Sequence, residues 1–446
     1  MLTIMTQTIN NNTQQEWSPK QKAGFRFLFL FFILQALPLS VDLFRFLFGP
    51  NWLSYGYIFN LTRLAPKFIP GADSFINWII VLVLALIGSF VWAGSRYKEQ
   101  DYDKLYYWLR TVVRYRLAIG IIGYGFLKFF PLQAPFPSIS NLNTAYGDFN
   151  DWKIFSLSLG IVPGYEAFLG GVEILVGLLL LFRKTATFGA LLILVFTGNV
   201  FISNLAYEGG EYVYSFYLIS FATLVFWFDA HRVFNLISLD RPTQPNAYQP
   251  IFVGTQQTLR IGLKAVVIFF FVFLYGFKTY SGYHHDPYQF PKTAGLKHAA
   301  GIYNVSEFRI NNKVLPYSAT DPVRWRDVVF EKWATLSIRS NRPVLIDSAN
   351  YEQISQKDED RNYELVGSAG RHYYSYKVDT ISQTLLLTNK NPHYRNEHFS
   401  LNYIRPDSTT IILNGLDQNR DSIYVVLNKI DKKYPINLGR RKVLKL

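Results

Sequence analysis

Phe75-Ile-Asn-Trp-Ile-Ile-Val-Leu-Val-Leu-Ala-Leu-Ile-Gly-Ser-Phe-Val-Trp-Ala-Gly94 runs for 20 residues without an Asp, Glu, Lys or Arg. As a helix it would rise about 30 Å, the thickness of the bilayer hydrocarbon, so it reads as a transmembrane span. Thr185–Leu205 is likewise uncharged. Tyr212–Phe228 and Ile261–Phe277 follow the same pattern, with Lys264 and Lys278 placed to snorkel to the polar boundary. The first apolar run, Phe25–Val41, carries Arg26 at its start and Pro38 near its end. Two weaker runs complete the set: Leu109–Phe130, holding Arg110, Arg114, Arg116 and Lys128, and Val162–Phe182, holding Glu166 and Glu173. Counting both gives seven spans.

Composition divides the chain in two. Of 446 residues only 17% are charged, against about 25% in an ordinary soluble protein. The shortfall lies in residues 1–280, with 35 charged residues, whereas residues 281–446 hold 41, a normal soluble fraction. A single soluble globule is excluded. The absence of Cys excludes disulfides, thiolate metal sites and thiol catalysis. The net charge of +14 is shared equally by the two parts, and in the first the basic residues cluster between apolar runs. That distribution points to the lipid bilayer as partner and not to nucleic acid.

With the N-terminus inside, the inner segments collect 15 Lys and Arg and the outer loops four, namely Arg45, Arg63, Lys67 and Lys153. An odd number of spans then places everything after Lys278 outside. The first run lacks an Ala-x-Ala-like cleavage site before Val41-Asp42-Leu43 and is expected to stay as an anchor. These features predict a multi-pass protein of the bacterial inner membrane, its N-terminus cytoplasmic and its C-terminal domain periplasmic. The expected divisions are a disordered tail at 1–24, with Asn10-Asn11-Asn12-Thr13-Gln14-Gln15 as its polar core, and two spans with an outer interfacial segment at 25–104. Then come a four-helix bundle at 105–236, a Pro-containing inner linker at 237–260, a seventh span at 261–279 and an outer β domain at 280–446. Asn51–Pro70, rich in Trp, Tyr and Phe, is expected at the headgroup level.

Beyond Lys278 the apolar pattern changes to alternation. Gly301–Ile310, Asn311-Asn312 and Lys313–Tyr317 read as a hairpin. Arg371–Val378, Ser382–Thr388, His398–Tyr403, Thr409–Leu413 and Asp421–Asn428 are short strands at even spacing. The fold class expected is therefore a membrane all-α bundle followed by an all-β antiparallel barrel or sandwich. Residues 294–446 are expected to fold alone.

Charges at membrane depth are costly and mark candidate sites. Arg110, Arg114, Leu117, Ile121, Tyr124 and Lys128 share one helix face, and Glu166, Gly170, Glu173 and Gly177 share another. At about 1.5 Å per residue, Lys128, Glu173 and Asn199 reach a similar band in the outer half of the membrane. Lys128 and Glu173 are the candidate catalytic pair, with Tyr124, Glu166, Asn199, Tyr165 and Tyr214 as the candidate binding pocket and Tyr212 and Tyr217 beside it. The alternatives are a buried Lys–Glu lock, packing glycines at Gly170, Gly171 and Gly177, an interfacial tyrosine belt, and Arg110, Arg114 and Arg116 as topology determinants at the inner surface. Gly-Ile-Ile-Gly-Tyr-Gly at Gly120–Gly125 lies inside an apolar helix and is not a phosphate loop. His393 and His398 lack metal-ligand spacing, His284-His285 reads as a solvated loop, and no metal site is expected.

Residues from about Tyr106 to Asp240 resemble the DoxX-like family of bacterial membrane proteins. The likeness rests on Gly125-Phe-Leu-Lys128-Phe-Phe-Pro131, Pro135-Phe-Pro137, Thr144-Ala-Tyr146-Gly147 and Tyr165-Glu-Ala-Phe-Leu-Gly170-Gly-Val-Glu173. It continues in Gly177-Leu-Leu-Leu-Leu-Phe-Arg183-Lys-Thr185 and Gly198-Asn199-Val200. The resemblance implies a four-helix core formed by the third to sixth spans. Some members of that family are associated with quinol oxidation or thiosulfate:quinone oxidoreductase, so a quinone is the cofactor it brings into view.

Three functions of different classes follow. In the first, a quinone-linked redox protein, Lys128 and Asn199 donate to a carbonyl oxygen while Glu173 relays protons. In the second, a membrane enzyme built on the plan of vitamin-K-dependent carboxylase-like proteins, Lys128 is a desolvated base. The third is a membrane-anchored accessory or assembly protein whose β domain docks a periplasmic or membrane partner and whose bundle holds a quinone or lipid head group. The third is the preferred reading, with the quinone-linked component as its alternative. For the topology, a periplasm-active reporter fused after Tyr317 is expected to be active and one fused after Pro245 inactive. Activity at both, or the reverse, contradicts the seven-span arrangement.

Overall fold

A computed structural model describes residues 17–438 apart from 38, 41–42, 44–47, 50–52, 70, 72, 96–99, 245–249, 251, 286–288, 347–354 and 356. The polar run at 10–15, the boundary at Val41-Asp42, and Arg45, Arg96, Lys98 and Pro245 lie outside the described residues. Among the described residues ten α-helices precede the sheet: α1 Pro19–Ala36, α2 Tyr55–Arg63, α3 Phe75–Gly94, α4 Tyr102–Phe129, α5 Ile139–Leu142, α6 Asp151–Gly160, α7 Pro163–Leu180, α8 Ala186–Ala206, α9 Tyr212–Ser238 and α10 Thr255–His285. A π-helical stretch at Phe269–Leu274 interrupts α10.

Five of them, α3, α7, α8, α9 and α10, are long and apolar enough to cross a membrane. They mark a membrane-spanning protein. The helices α1 and α4, of 18 and 28 residues, have the length but carry more charge, and seven spans are reached only by including them. The tail expected over 1–24 gives way to helix at Pro19, because Ser18 and Gln21 form a reciprocal capping box and Pro19 suits the first turn. The caps of α2 and α3 are Ser54 and Ser74, whose hydroxyls accept from the backbone N–H of Tyr57 and Ile76.

Two compact units divide the chain, and they do not follow chain order. The first holds Met1–Phe126, Leu169–Ser203 and Glu211–Thr279. The second holds Leu127–Phe168, Asn204–Gly210 and Tyr280–Leu446.

The second unit is built on a closed antiparallel barrel. The strands are β1 Gly301–Ile310, β2 Lys313–Val314, β3 Asp327–Phe330, β4 Thr335–Arg339, β5 His372–Asp379, β6 Thr384–Asn389, β7 His398–Ile404, β8 Thr410–Asp417 and β9 Ser422–Lys429. Each pairs with the next around the ring and β9 returns to β1, so eight strands close while β2 extends the edge of β1. Of the two expected architectures, the barrel is the one formed. Closure removes exposed sheet edges. The expected hairpin is present: Asn311 and Asn312 both take positive φ, 49° and 62°, the turn geometry that asparagine tolerates. Tyr303, Phe308, Trp325, Phe330, Leu387 and Leu413 are among the residues filling the interior.

The sequence pattern did not reveal β3 and β4, and their burial explains it. All five β4 residues but Arg339 are buried, so neither strand alternates. The segment 131–162 covers residues of this region through polar contacts. The Glu331 carboxylate accepts from the backbone N–H of Ser140 at 2.7 Å and of Ile139 at 3.2 Å, capping the start of α5. The Ser140 and Ser337 hydroxyls share a hydrogen bond of 2.7 Å, and Asn141 donates to the Glu364 carbonyl at 3.0 Å. Lys153, expected in an outer loop, is fully buried, donating to the Tyr363 carbonyl with its ammonium 3.7 Å from the Tyr363 ring centroid. Residues 294–446, expected to fold alone, have hydrogen-bond partners in 131–162 that belong to the same compact unit.

A second polar cluster lies on the barrel. Arg342 forms a two-pronged pair with Glu397, at 2.6 and 3.0 Å, and Tyr374 and Asn389 donate to the same carboxylate. His372 sits against the Arg342 guanidinium, at 3.0 Å between Nε and Nε2. Burial first, and then the Arg342 charge, hold the His372 imidazole down at about 4 against an ordinary 6.5. The folded state therefore binds fewer protons than the unfolded state between these values, and stability is lost as pH falls through that window. In detergent, the barrel is expected to lose up to about 3 kcal/mol between pH 6.5 and 4, a loss that His372→Gln removes. Equal pH dependence of wild type and variant in melts of the sheet signal contradicts this.

Candidate functional site

The first unit contains a polar cluster built around one run of α4. Gly120, Gly123 and Gly125 each admit a neighbour that a side chain would exclude. A Cβ on Gly120 would lie 2.7 Å from the Tyr214 hydroxyl, and one on Gly125 would lie 2.8 Å from Ile174. On Gly123 it would lie 2.0 Å from the Thr62 hydroxyl oxygen. Gly177 on α7 likewise faces Ile122, at 2.4 Å. The glycines thus work as packing positions, as expected for Gly177, and Gly120–Gly125 has no loop geometry.

Gly123 lets α2 enter. Ile58, Phe59 and Thr62 of this helix are buried, at 0%, 3% and 0% exposure. Asn51–Pro70 is expected at the headgroup level, and its described helix packs the face bearing Ile58, Phe59 and Thr62 against the bundle. The reason is the fit of small against small at Gly123, followed by capture of the helix end. The last carbonyls of a helix have no partner within it and carry partial negative charge. Arg116 supplies the partner, donating to the Thr62 carbonyl at 2.7 Å and to the Leu64 carbonyl. Tyr214 adds a hydrogen bond to the same Thr62 carbonyl at 3.0 Å. Arg116 was read as an inner-surface residue, yet its guanidinium is committed to this helix terminus.

Arg63, the next residue of α2, is thereby aimed at Glu211, which stands at the start of α9. Their N–O distance is 2.9 Å, and the Tyr124 hydroxyl donates to the same Glu211 oxygen at 2.6 Å. Asp73 lies 3.6 Å from Arg63. The guanidinium also stands over the rings of Phe59, Tyr124 and Tyr214, 5.6 to 5.7 Å from their centroids. Tyr124 and Tyr214 approach to 5.6 Å between centroids, and Tyr214 stacks on Tyr217 at 5.5 Å. Tyr217 in turn donates to the Gln35 carbonyl at the end of α1. Arg63 and Glu211 keep 27% and 24% of their side-chain surface, while Tyr124 and Tyr214 are 9% and 4% exposed. A charged pair that is partly open and seated on buried tyrosines offers several donors and one carboxylate proton acceptor at one place.

Of the residues expected to form a pocket, Tyr124 and Tyr214 are brought together here. Lys128 and Glu173, the expected catalytic pair, are both buried, at 7% and 3% exposure, and they belong to different compact units. Glu166 is fully buried and accepts from the Ala134 N–H at 2.9 Å, within electrostatic reach of Lys128. Asn199 is exposed, and Tyr165 is 54% exposed and stacks on Phe168. Depth along the helices does not give rotation, and rotation separates Asn199 and Tyr165 from the interior. Arg63 is expected in an outer loop, and Glu211 is not among the expected site residues. The signal available for them was the glycine spacing on α4, which reserves room for another element.

Among the described residues no group of three or more His, Cys, Asp or Glu is arranged to hold a metal. Comparison with protein-family models, with curated proteins and with solved structures gives no match to this chain.

Proposed function

We propose that this chain is a DoxX-like integral membrane protein that acts as an anchored accessory or assembly protein, and that its bundle binds the polar head group of a lipid-soluble ligand, a quinone. The observation that carries the reading is the Tyr124–Glu211–Arg63 constellation, partly open and built inside an apolar bundle. Ionisable groups within membrane helices are functional candidates by default, because their desolvation is expensive. A quinone carbonyl is an acceptor, and the Arg63 guanidinium is the donor beside it, while the Tyr124 hydroxyl holds the Glu211 carboxylate in place. The Glu211 carboxylate is an acceptor next to such a ligand. The barrel unit is the part that would meet a protein partner on the periplasmic side. A quinone-linked oxidoreductase component is the second reading, favoured by the 2.6 Å Tyr124–Glu211 hydrogen bond as a proton-handling pair.

The full chain purified in mild detergent is expected to carry quinone near one per chain, measured by solvent extraction. Tyr124→Phe keeps the ring and removes the hydroxyl, which is expected to weaken binding of a short-chain quinone at least tenfold while the melting temperature changes little. Glu211→Gln is expected to weaken it similarly. A wild-type chain that carries no quinone and binds none on titration contradicts the proposal, as does a Tyr124→Phe chain that binds as wild type does. A fixed protein partner with no quinone supports the accessory role alone.

A further inference from the structure

At the end of the bundle that carries the α7–α8 turn, the first unit gathers Arg110, Arg114, Arg183, Arg260 and Lys264. Arg110 is satisfied: it pairs with Asp229 at 3.0 Å, bonds to Thr187 at 3.0 Å and stacks on Phe228 at 4.3 Å. Asp229 is shared further, with Arg232 at 2.9 Å and with the Thr187 hydroxyl. One turn along α4, Arg114 is equally buried, at 7% exposure, and its Nε has no hydrogen-bond partner among the described residues. Its guanidinium stands 5.3 Å from the centroid of the Tyr115 ring, and the charged side chains that act on it, Arg110 and Arg183, are positive. Lys264 of α10 feels the charges of Arg114 and of Arg260 on its own helix.

An uncompensated buried guanidinium is expensive, and a second and third cation nearby raise the cost. The surroundings of Lys264 are those of a lipid contact. Its ammonium lies 3.4 Å from the centroid of the Phe182 ring, and Arg260 stands 5.2 Å from that of Phe252. Trp108, Phe182, Ile261 and Leu263 are 45%, 49%, 59% and 60% exposed, an apolar surface beside the cations. A single anion bearing several acceptor oxygens would meet the Arg114 Nε–H while neutralising the group, and phosphate is the geometry that a guanidinium fork matches. Basic pockets between membrane helices recognise phosphate head groups in this way.

We propose that Arg114, with Arg183 and Lys264, binds the phosphate of an anionic phospholipid at this end of the bundle. The exposed apolar residues give the acyl chains their path, which a free phosphate ion would not use. This site is separate in residues from the Tyr124–Glu211–Arg63 constellation, and its test does not depend on that reading.

The test uses the full chain, delipidated in a neutral detergent, with thermal melts and titrations against phosphatidylglycerol, phosphatidylcholine and inorganic phosphate. Phosphatidylglycerol is expected to raise the melting temperature by several degrees, and phosphatidylcholine and inorganic phosphate to leave it unchanged. Arg114→Met and Lys264→Gln are each expected to weaken phosphatidylglycerol binding at least tenfold. Without added lipid, Arg114→Met is expected to melt no lower than wild type, since it removes an unpaired buried charge. Equal responses to the two lipids overturn the proposal, as does an Arg114→Met chain that binds phosphatidylglycerol as wild type does. A response to inorganic phosphate equal to that of the lipid overturns the assignment to lipid and leaves a soluble anion as the ligand.

Discussion

The first unit depends on the absence of a side chain at Gly123. Thr62 occupies the space that a Cβ would need, and with it comes the whole of α2, its buried face of Ile58 and Phe59 and its unpaired terminal carbonyls. Those carbonyls would be costly in an apolar bundle, each unsatisfied group amounting to several kcal/mol. Arg116 and Tyr214 meet them, and in doing so fix where Arg63 stands. Arg63, Glu211 and Tyr124 converge because a glycine, a capped helix end and a half-buried arginine place them there. Removal of the guanidinium at Arg116 would strand the helix end and displace the pair, so Arg116 is a positioning residue for the proposed binding constellation.

The second unit solves its own polar problem in a related way. Glu331, Lys153, Arg371 and the Glu364–Lys390 pair are all buried. Breaking such a pair by removing one partner typically costs about 3–5 kcal/mol. Each finds its partner within the unit: Glu331 and Arg371 find one in 131–162, the segment between α4 and α7, and Lys153 reaches from that segment to Tyr363. That segment is part of the same fold as the barrel although more than a hundred residues separate them in sequence. A protein partner recruited by the barrel would meet a composite surface and not a sheet alone.

Much of this was legible in the amino-acid order. The uncharged runs gave helices at Phe75–Gly94 and Ala186–Ala206 to within a residue or two, and period-two alternation found the strands from His372 onward and the Asn311-Asn312 turn. Alternation could not find β3 and β4, because both of their faces are covered. Helix spacing gave the shared face of Tyr124 and Lys128 but not the rotation of Asn199, which is a property of the packed bundle. Charge sign placed Arg63, Arg116 and Lys153 on surfaces; each is held instead by carbonyls, carboxylates or rings from elsewhere in its unit, and such pairing is invisible without the fold.

The burial of α2 against Gly123 is the claim on which the constellation rests, and the chain contains no cysteine to complicate its measurement. A single Ile58→Cys substitution, probed in intact membranes opened to both sides with a charged, membrane-impermeant maleimide, reports it directly. The expected result is no labelling of the native protein and full labelling after denaturation, with labelling of the native protein appearing when Gly123→Leu is added. Rapid labelling of Ile58→Cys with Gly123 intact would place α2 at the surface and contradict the arrangement of Arg63, Glu211 and Tyr124.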